Sequence, residues 1–235
     1  MRKLTLITRQ MWLLPFLASG VLLGQSFDVG VVGGPQIGTY RYVLDDDSES
    51  ESGFGLFAGP SFLLSLNDNL RFSADLLISW TSFSDEAKRG DQSYRIEVKS
   101  SGSDVFLKLP IMARYKFPVG SFALEGGAGL QLGFWTAAQR KETRTETYTN
   151  FFGDRVTTTS TQSGSLFEDG SEEYNRVALS LPLMAGAVFP MGNGELGAYL
   201  RWDPMLTNLL DIGDDFRHTQ TTLGIMVAYY FGLGK

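Results

Sequence analysis

The stretch DVFLKLPIMARYKFPVGSFALEGGAGLQLGFW, residues 104–135, reads with a period of two. On its first arm Val105, Leu107, Leu109, Ile111, Ala113, Tyr115 and Phe117 share one face. Lys108, Arg114 and Lys116 share the other, together with Phe106, Pro110 and Met112. Pro118-Val119-Gly120 reverses the chain. On the return arm Phe122, Leu124, Ala128, Leu130, Leu132 and Phe134 continue the apolar face, opposite Ser121, Ala123, Glu125, Gly127, Gly129, Gln131 and Gly133. Such alternation predicts strand. The arms exceed the roughly 5–6 residues of an ordinary strand and match the roughly 9–11 tilted residues that cross a bilayer. A face made of glycine and charge cannot be the inside of a dry sandwich. It suits the inner wall of a narrow barrel whose apolar side meets lipid.

Outward from this hairpin the pattern recurs. In 27–42, Phe27, Val29, Val31 and Ile37 oppose Asp28, Gly30, Gly34, Gln36, Gly38 and Tyr40. No helical pattern follows these glycines, so they do not form a nucleotide-binding loop. In 53–66 and 70–84 the apolar face runs through Phe54, Leu56, Phe62 and Leu64, then Phe72, Leu76, Ile78 and Trp80. In 176–189 it runs through Val177, Leu179, Leu181, Leu183 and Phe189, in 195–203 through Leu196, Leu200 and Trp202, and 221–231 closes the chain. Residues 94–100 alternate weakly and are read as extending the fourth strand beyond the membrane, with the SSGS that follows as a bulge or break. Leu209, Leu210 and Ile212 are read as prolonging the seventh strand. Short connections at Asn67–Asn69, Pro118–Gly120 and Met191–Gly194 alternate with long ones. The expected fold is all-β: an eight-stranded antiparallel up-and-down transmembrane barrel of the Gram-negative cell outer membrane, with short periplasmic turns and long extracellular loops.

Composition agrees. The chain has 235 residues, 43% of them hydrophobic, which suits one folded domain. No uninterrupted apolar run long enough for a membrane-spanning helix occurs beyond the N-terminus. The absence of cysteine excludes disulfides, thiolate metal sites and cysteine nucleophiles. A net charge of -6 without a basic stripe argues against nucleic acid as a partner. At the N-terminus Arg2, Lys3 and Arg9 precede the short apolar core MWLLPFLASGVLLG, the layout of a secretory signal peptide. Residues 1–24 are therefore expected to be the signal, cleaved after Gly24 (with Gly20 as the alternative), and 25–235 the barrel domain.

The expected inner wall carries Asp28, Asp75, Glu125, Glu195 and Asp203 against Arg71, Lys108, Arg114, Lys116 and Arg201. Equal numbers of each sign fit a self-neutralising plug, because an unpaired charge in a confined interior is costly and a barrel of eight strands is just wide enough for its side chains to fill. The same residues would line a conduit if the lumen were wet.

The Gly-rich VGVVGGPQIG, then GLFAGPSFLLSLNDNLRFSADLLIS, LKLPIMARYKF and FALEGGAGLQLGF resemble the PorT-like family of small outer-membrane β-barrels over about residues 26–231. That resemblance implies the barrel fold and an association with type IX secretion, and it supplies no catalytic motif. The chain departs from the pattern at its end, where Phe231 is followed by Gly232-Leu233-Gly234-Lys235.

Function is expected in the third loop. Residues 139–162 form two polar, strand-like arms around Asn150, Phe151, Phe152, Gly153 and Asp154. They would stand above the membrane and dock a protein partner by strand addition or by the paired rings; the alternative is a solvated loop whose rings fold back. Acidic runs at Asp45, Asp46, Asp47, Glu49 and Glu51, at Glu168, Asp169, Glu172 and Glu173, and at Asp211, Asp214 and Asp215 match no calcium loop and read as a solvated face. The one histidine, His218, is accompanied by no G-x-S-x-G motif. The expectation is a non-enzymatic anchored interaction or envelope-structural protein without metal or cofactor, in contact with outer-membrane lipid and lipopolysaccharide. A small channel is the alternative and a lipid-modifying enzyme the third reading.

Overall fold

A computed structural model of the chain describes residues 26–44, 47–90, 94–152, 154–167, 175–209 and 216–232. The expected signal segment 1–24, Gly153 and most of the acidic residues named above lie outside the described residues. Among the described residues, eleven strands form one antiparallel sheet: β1 (Ser26–Leu44), β2 (Asp47–Ser65), β3 (Leu70–Asp75), β4 (Leu77–Gly90), β5 (Tyr94–Val119), β6 (Phe122–Thr149), β7 (Arg155–Ser165), β8 (Val177–Ser180), β9 (Leu183–Met191), β10 (Gly194–Pro204) and β11 (Phe216–Gly232). β1 pairs with β2 on one side and with β11 on the other, so the sheet closes on itself.

The ring nevertheless has eight staves. β3 and β4 are one stave interrupted at Leu76, and both pair with β2 and β5. β8 and β9 are another, interrupted at Leu181-Pro182, and both pair with β6. The interruptions have one cause. Leu76 faces Pro60 and Gly129 faces Pro182, and a proline has no N–H to return to the ladder. One bond survives at each place, Leu76 N–H to the Pro60 carbonyl (3.0 Å) and Gly129 N–H to the Pro182 carbonyl (3.1 Å).

The period-two faces sort as the alternation requires. Ile78, Ile111, Leu130, Leu200 and Ile225 are exposed on the outer wall, while Met112, Arg114, Glu125, Gln131 and Tyr199 are buried inside. Two sequence expectations need correction. The irregularity in the fourth stave is not at SSGS. β5 runs unbroken through those residues, and the register shifts between Val105 and Phe106, where Thr136 of β6 is the extra residue. Leu209 does not prolong the seventh stave either: β10 ends at Pro204, and Leu209 is fully buried among rings at the outer mouth. Leu210 and Ile212 lie outside the described residues.

The lumen is filled at two levels. Val32, Phe57, Leu77, Met112, Met184 and Met226 belong to a dry cluster inside the ring. Phe106, Trp135, Ala138, Ala178 and Leu209, with Leu166, Phe167 and Met205 against them, cap the outer mouth. Apolar contact of this kind excludes water and holds the staves apart at a fixed spacing.

Candidate functional site

Two places concentrate polar chemistry: the inside of the ring and the sheet above its outer mouth. Inside, inward positions on six staves meet in a continuous network. The Arg114 guanidinium, buried in the centre, donates to Tyr230 Oη (2.6 Å), Tyr199 Oη (2.6 Å) and Glu125 Oε2 (2.7 Å). Tyr199 donates in turn to the same Glu125 oxygen (2.6 Å). Arg71 grips Glu195 with both terminal nitrogens (2.6 and 3.0 Å) and lies 3.8 Å from Glu125, and Lys116 donates to Glu195 from the other side (2.5 Å). Ser61 Oγ donates to Asp75 (2.5 Å). Arg201 Nε reaches both Asp203 oxygens (2.8 and 3.1 Å), its Nη2 donates to Gln131 (2.6 Å) and its Nη1 lies 4.0 Å from Asp75.

The structure thus brings Arg71, Asp75, Arg114, Lys116, Glu125, Glu195, Arg201 and Asp203 into three linked groups. Lys108 stands apart. It is buried, has no ion pair among the described residues, and sits 5.9 Å from the Phe106 ring beside a cavity of about 10 Å³, which holds one water at most. Asp28 lines an open vestibule of about 660 Å³ at the end bearing the short turns, with Arg71, Glu195 and Tyr230 on the same wall. Two members escaped the reading of the sequence. Tyr230 closes the Arg114 cluster, and Asp104 holds Trp135 Nε1 (3.2 Å) and Arg140 Nη1 (2.8 Å) below the cap. The signal for both was parity: Asp104 lies an even number of steps from the inward Lys108, and Tyr230 lies six from Gly224, which the structure buries on the same face of its own strand.

His218 is 2% exposed and packs between Tyr40 (6.0 Å) and Trp135 (6.1 Å) under the cap. No group of three or more His, Cys, Asp or Glu suited to a metal occurs among the described residues.

Above the mouth, four strands continue beyond the ring as one sheet. β4 pairs with β5 up to Gly90 and Arg95, β5 with β6 up to Tyr94 and Tyr148, and β6 with β7 from Gln139–Ser165 to Thr149–Arg155. These segments have no uniformly apolar face, so backbone ladders and cross-strand pairs hold them. Three threonine pairs line up across β6 and β7: Thr143–Thr161 (3.3 Å), Thr145–Thr159 (3.4 Å) and Thr147–Thr157 (3.2 Å). Across β4 and β5, Lys99 reaches Glu86 (3.7 Å); Lys99 also pairs with Glu97 within β5 (3.0 Å), and Lys88 with Glu86 within β4. The Lys88 hydrogen bond, more than its charge, holds the exposed Glu86 carboxyl below the usual carboxylate range.

The hairpin tip is built by Asn150, whose Oδ1 accepts from the Phe152 (3.0 Å) and Asp154 (2.8 Å) amides while its own N–H donates to the Asp154 carbonyl (2.8 Å). This Asx-type turn pushes Phe151 and Phe152 out, at 98% and 85% exposure, as an edge-to-face pair 5.9 Å apart. The rings do not fold back.

A model of the outer membrane protein beta-barrel domain matches residues 13–231. No curated protein matches the chain. Among solved structures it is similar to Neisserial surface protein A, at 16% identity over 87% of this chain and 98% of that one, with a TM-score of 0.36. It is also similar to Ail, the attachment invasion locus protein of Yersinia pestis, at 14% identity over 87% and 99% (TM-score 0.32). A third is the outer membrane protease OmpT of Escherichia coli, at 6% identity over 88% and 97% (TM-score 0.35). Likenesses this distant carry no argument about activity. The closed eight-stave ring, its exposed apolar wall and the family match over nearly the whole chain lead to one assignment: this is an outer-membrane protein, and the chain belongs to the outer membrane protein beta-barrel domain family.

Proposed function

We propose that this barrel is a sealed, non-enzymatic anchor that holds a docking sheet above the outer membrane. The observation that carries the reading is the projecting β6–β7 hairpin, with its solvated outer strand and its two bare phenylalanines at the tip. A loop without a partner gains nothing from presenting two large rings to water, whereas exposed aromatic side chains on a rigid turn are the anchors that recognition surfaces use. The dry cluster and the cap support a plug over a conduit, and the closed packing around His218 supports a role other than lipid hydrolysis. The finer placement, a PorT-like protein tied to type IX secretion, rests on the sequence pattern alone, and lipopolysaccharide is proposed to surround the barrel below the sheet.

The test is cross-linking in living cells followed by identification of what the tagged barrel retains, comparing the full chain with a deletion of 140–162. A partner retained by the full chain and lost by the deletion is the expected result. If both forms retain the same proteins, the sheet is not a docking element.

A further inference from the structure

The two outer edges of the projecting sheet are protected unequally. Beyond Phe83, β4 no longer pairs with β2, and this edge carries Asp85, Glu86, Lys88 and Arg89 before Gly90. Charges on an edge strand are what prevents another strand from adding to it. β7 is the edge on the other side, paired only with β6 among the described residues. Its sequence RVTTTSTQSGS holds no charge after Arg155, no proline and no bulge, and residues 157–164 are exposed. Every second residue there turns an unpaired N–H and C=O outward, and only another extended backbone satisfies such a row.

The side chains of β7 are nearly palindromic about Thr159. In an antiparallel pairing of β7 with β7 centred on that residue, Thr157 meets Thr161 and Thr158 meets Ser160. This repeats the hydroxyl pairs already present between β7 and β6. Arg155 meets Ser163, so no like charges face each other. The same register brings the bare Phe151–Phe152 tip of one copy level with Leu166 and Phe167 at the base of β7 in the other. Two separate features, an unprotected edge and a water-exposed ring pair, are thus satisfied by one symmetric arrangement.

We infer that β7 is a homotypic docking edge and that its occupant is β7 of a second copy carried by an opposing membrane. The opposition follows from direction. In one membrane both copies of β7 run down toward the bilayer, and placing them edge to edge gives a parallel pair. An antiparallel pair needs the second barrel inverted. This inference rests on the docking role of the sheet and names its partner.

The chain lacks cysteine, so a single introduced cysteine reports on register without background. Barrels are placed one per nanodisc, which permits contact only between separate bilayers, and are oxidised before non-reducing electrophoresis. Thr159→Cys is expected to form a disulfide-linked dimer. Thr157→Cys and Thr161→Cys are each expected to stay monomeric alone and to cross-link when mixed. Thr158→Lys with Ser160→Lys, added to Thr159→Cys, sets lysines opposite lysines and is expected to lower the dimer yield about tenfold or more, since like charges directly opposite oppose pairing. Both lysines replace exposed edge residues, and retained heat-modifiable mobility on gels shows that the barrel is folded. Folded barrels that give no Thr159→Cys dimer, or equal cross-linking at all three positions, overturn the inference. If deletion of 140–162 still removes a cellular partner in that case, the docking sheet stands and its occupant is a different protein.

Discussion

Glu125→Leu tests whether the lumen is sealed. Glu125 is the shared acceptor of Arg114 and Tyr199, and Arg71 lies 3.8 Å away. The substitution leaves the Arg114 guanidinium, 1% exposed, with two neutral tyrosine hydroxyls and no carboxylate in contact. Removing one partner of a buried ion pair costs about 3–5 kcal/mol, because the other charge stays desolvated. With a urea slope of about 2.5 kcal/mol/M, the unfolding midpoint in lipid vesicles, followed by tryptophan fluorescence, falls by about 1–2 M. The double change Arg114→Met with Glu125→Leu removes both charges and recovers most of that loss, since an apolar replacement of a buried pair is often neutral. A loss below about 1 kcal/mol for Glu125→Leu alone, the value of an exposed pair, would refute the reasoning. It would mean that water reaches Arg114 and that the lumen is open.

Three further outcomes follow from the same packing. Planar-bilayer recordings of the intact barrel show no steady conductance, whereas truncating Phe57, Met112 and Met226 together to alanine admits ions; steady current through the intact barrel would contradict a dry cluster. Trp135→Ala, by removing the centre of the outer cap, lowers unfolding stability by about 3–5 kcal/mol, and Trp135→Phe costs less because the stack on Phe106 survives. Gly34→Ala abolishes refolding in a gel-mobility assay, because its Cβ would lie 1.8 Å from the Ile225 carbonyl oxygen, whereas Gly126→Ala, with nothing nearer than 3.8 Å, refolds normally.

The staves, their faces and the alternation of long and short connections were legible because one period-two pattern governs every strand of a lipid-facing wall. Legibility failed wherever a single residue shifted that parity. Thr136 is such a residue: beyond it β6 inverts relative to the pattern that precedes it, so Trp135 and Ala138 both point inward although they are three apart. Pro182 breaks its own stave, but Pro60 interrupts a ladder from the opposite strand, and nothing at Leu76 itself announces that break. The charges of the network could be assigned to the interior one by one, but their grouping depends on how far each stave is staggered against its neighbours, which side-chain alternation does not encode. Lys108 shows the limit: it has the inward parity of Arg114 and no ion pair among the described residues.

β6 runs for 28 residues from the short-turn end through the wall and the cap to the threonine arm. A pull at Phe151 is therefore directed along a strand that is laddered to β5 through most of its length. Load in that direction places many hydrogen bonds in shear at once, whereas a sideways pull on the hairpin would open them singly, like a zip. The sheet is mechanically continuous with the barrel, and it resists detachment best when tugged straight away from the cell.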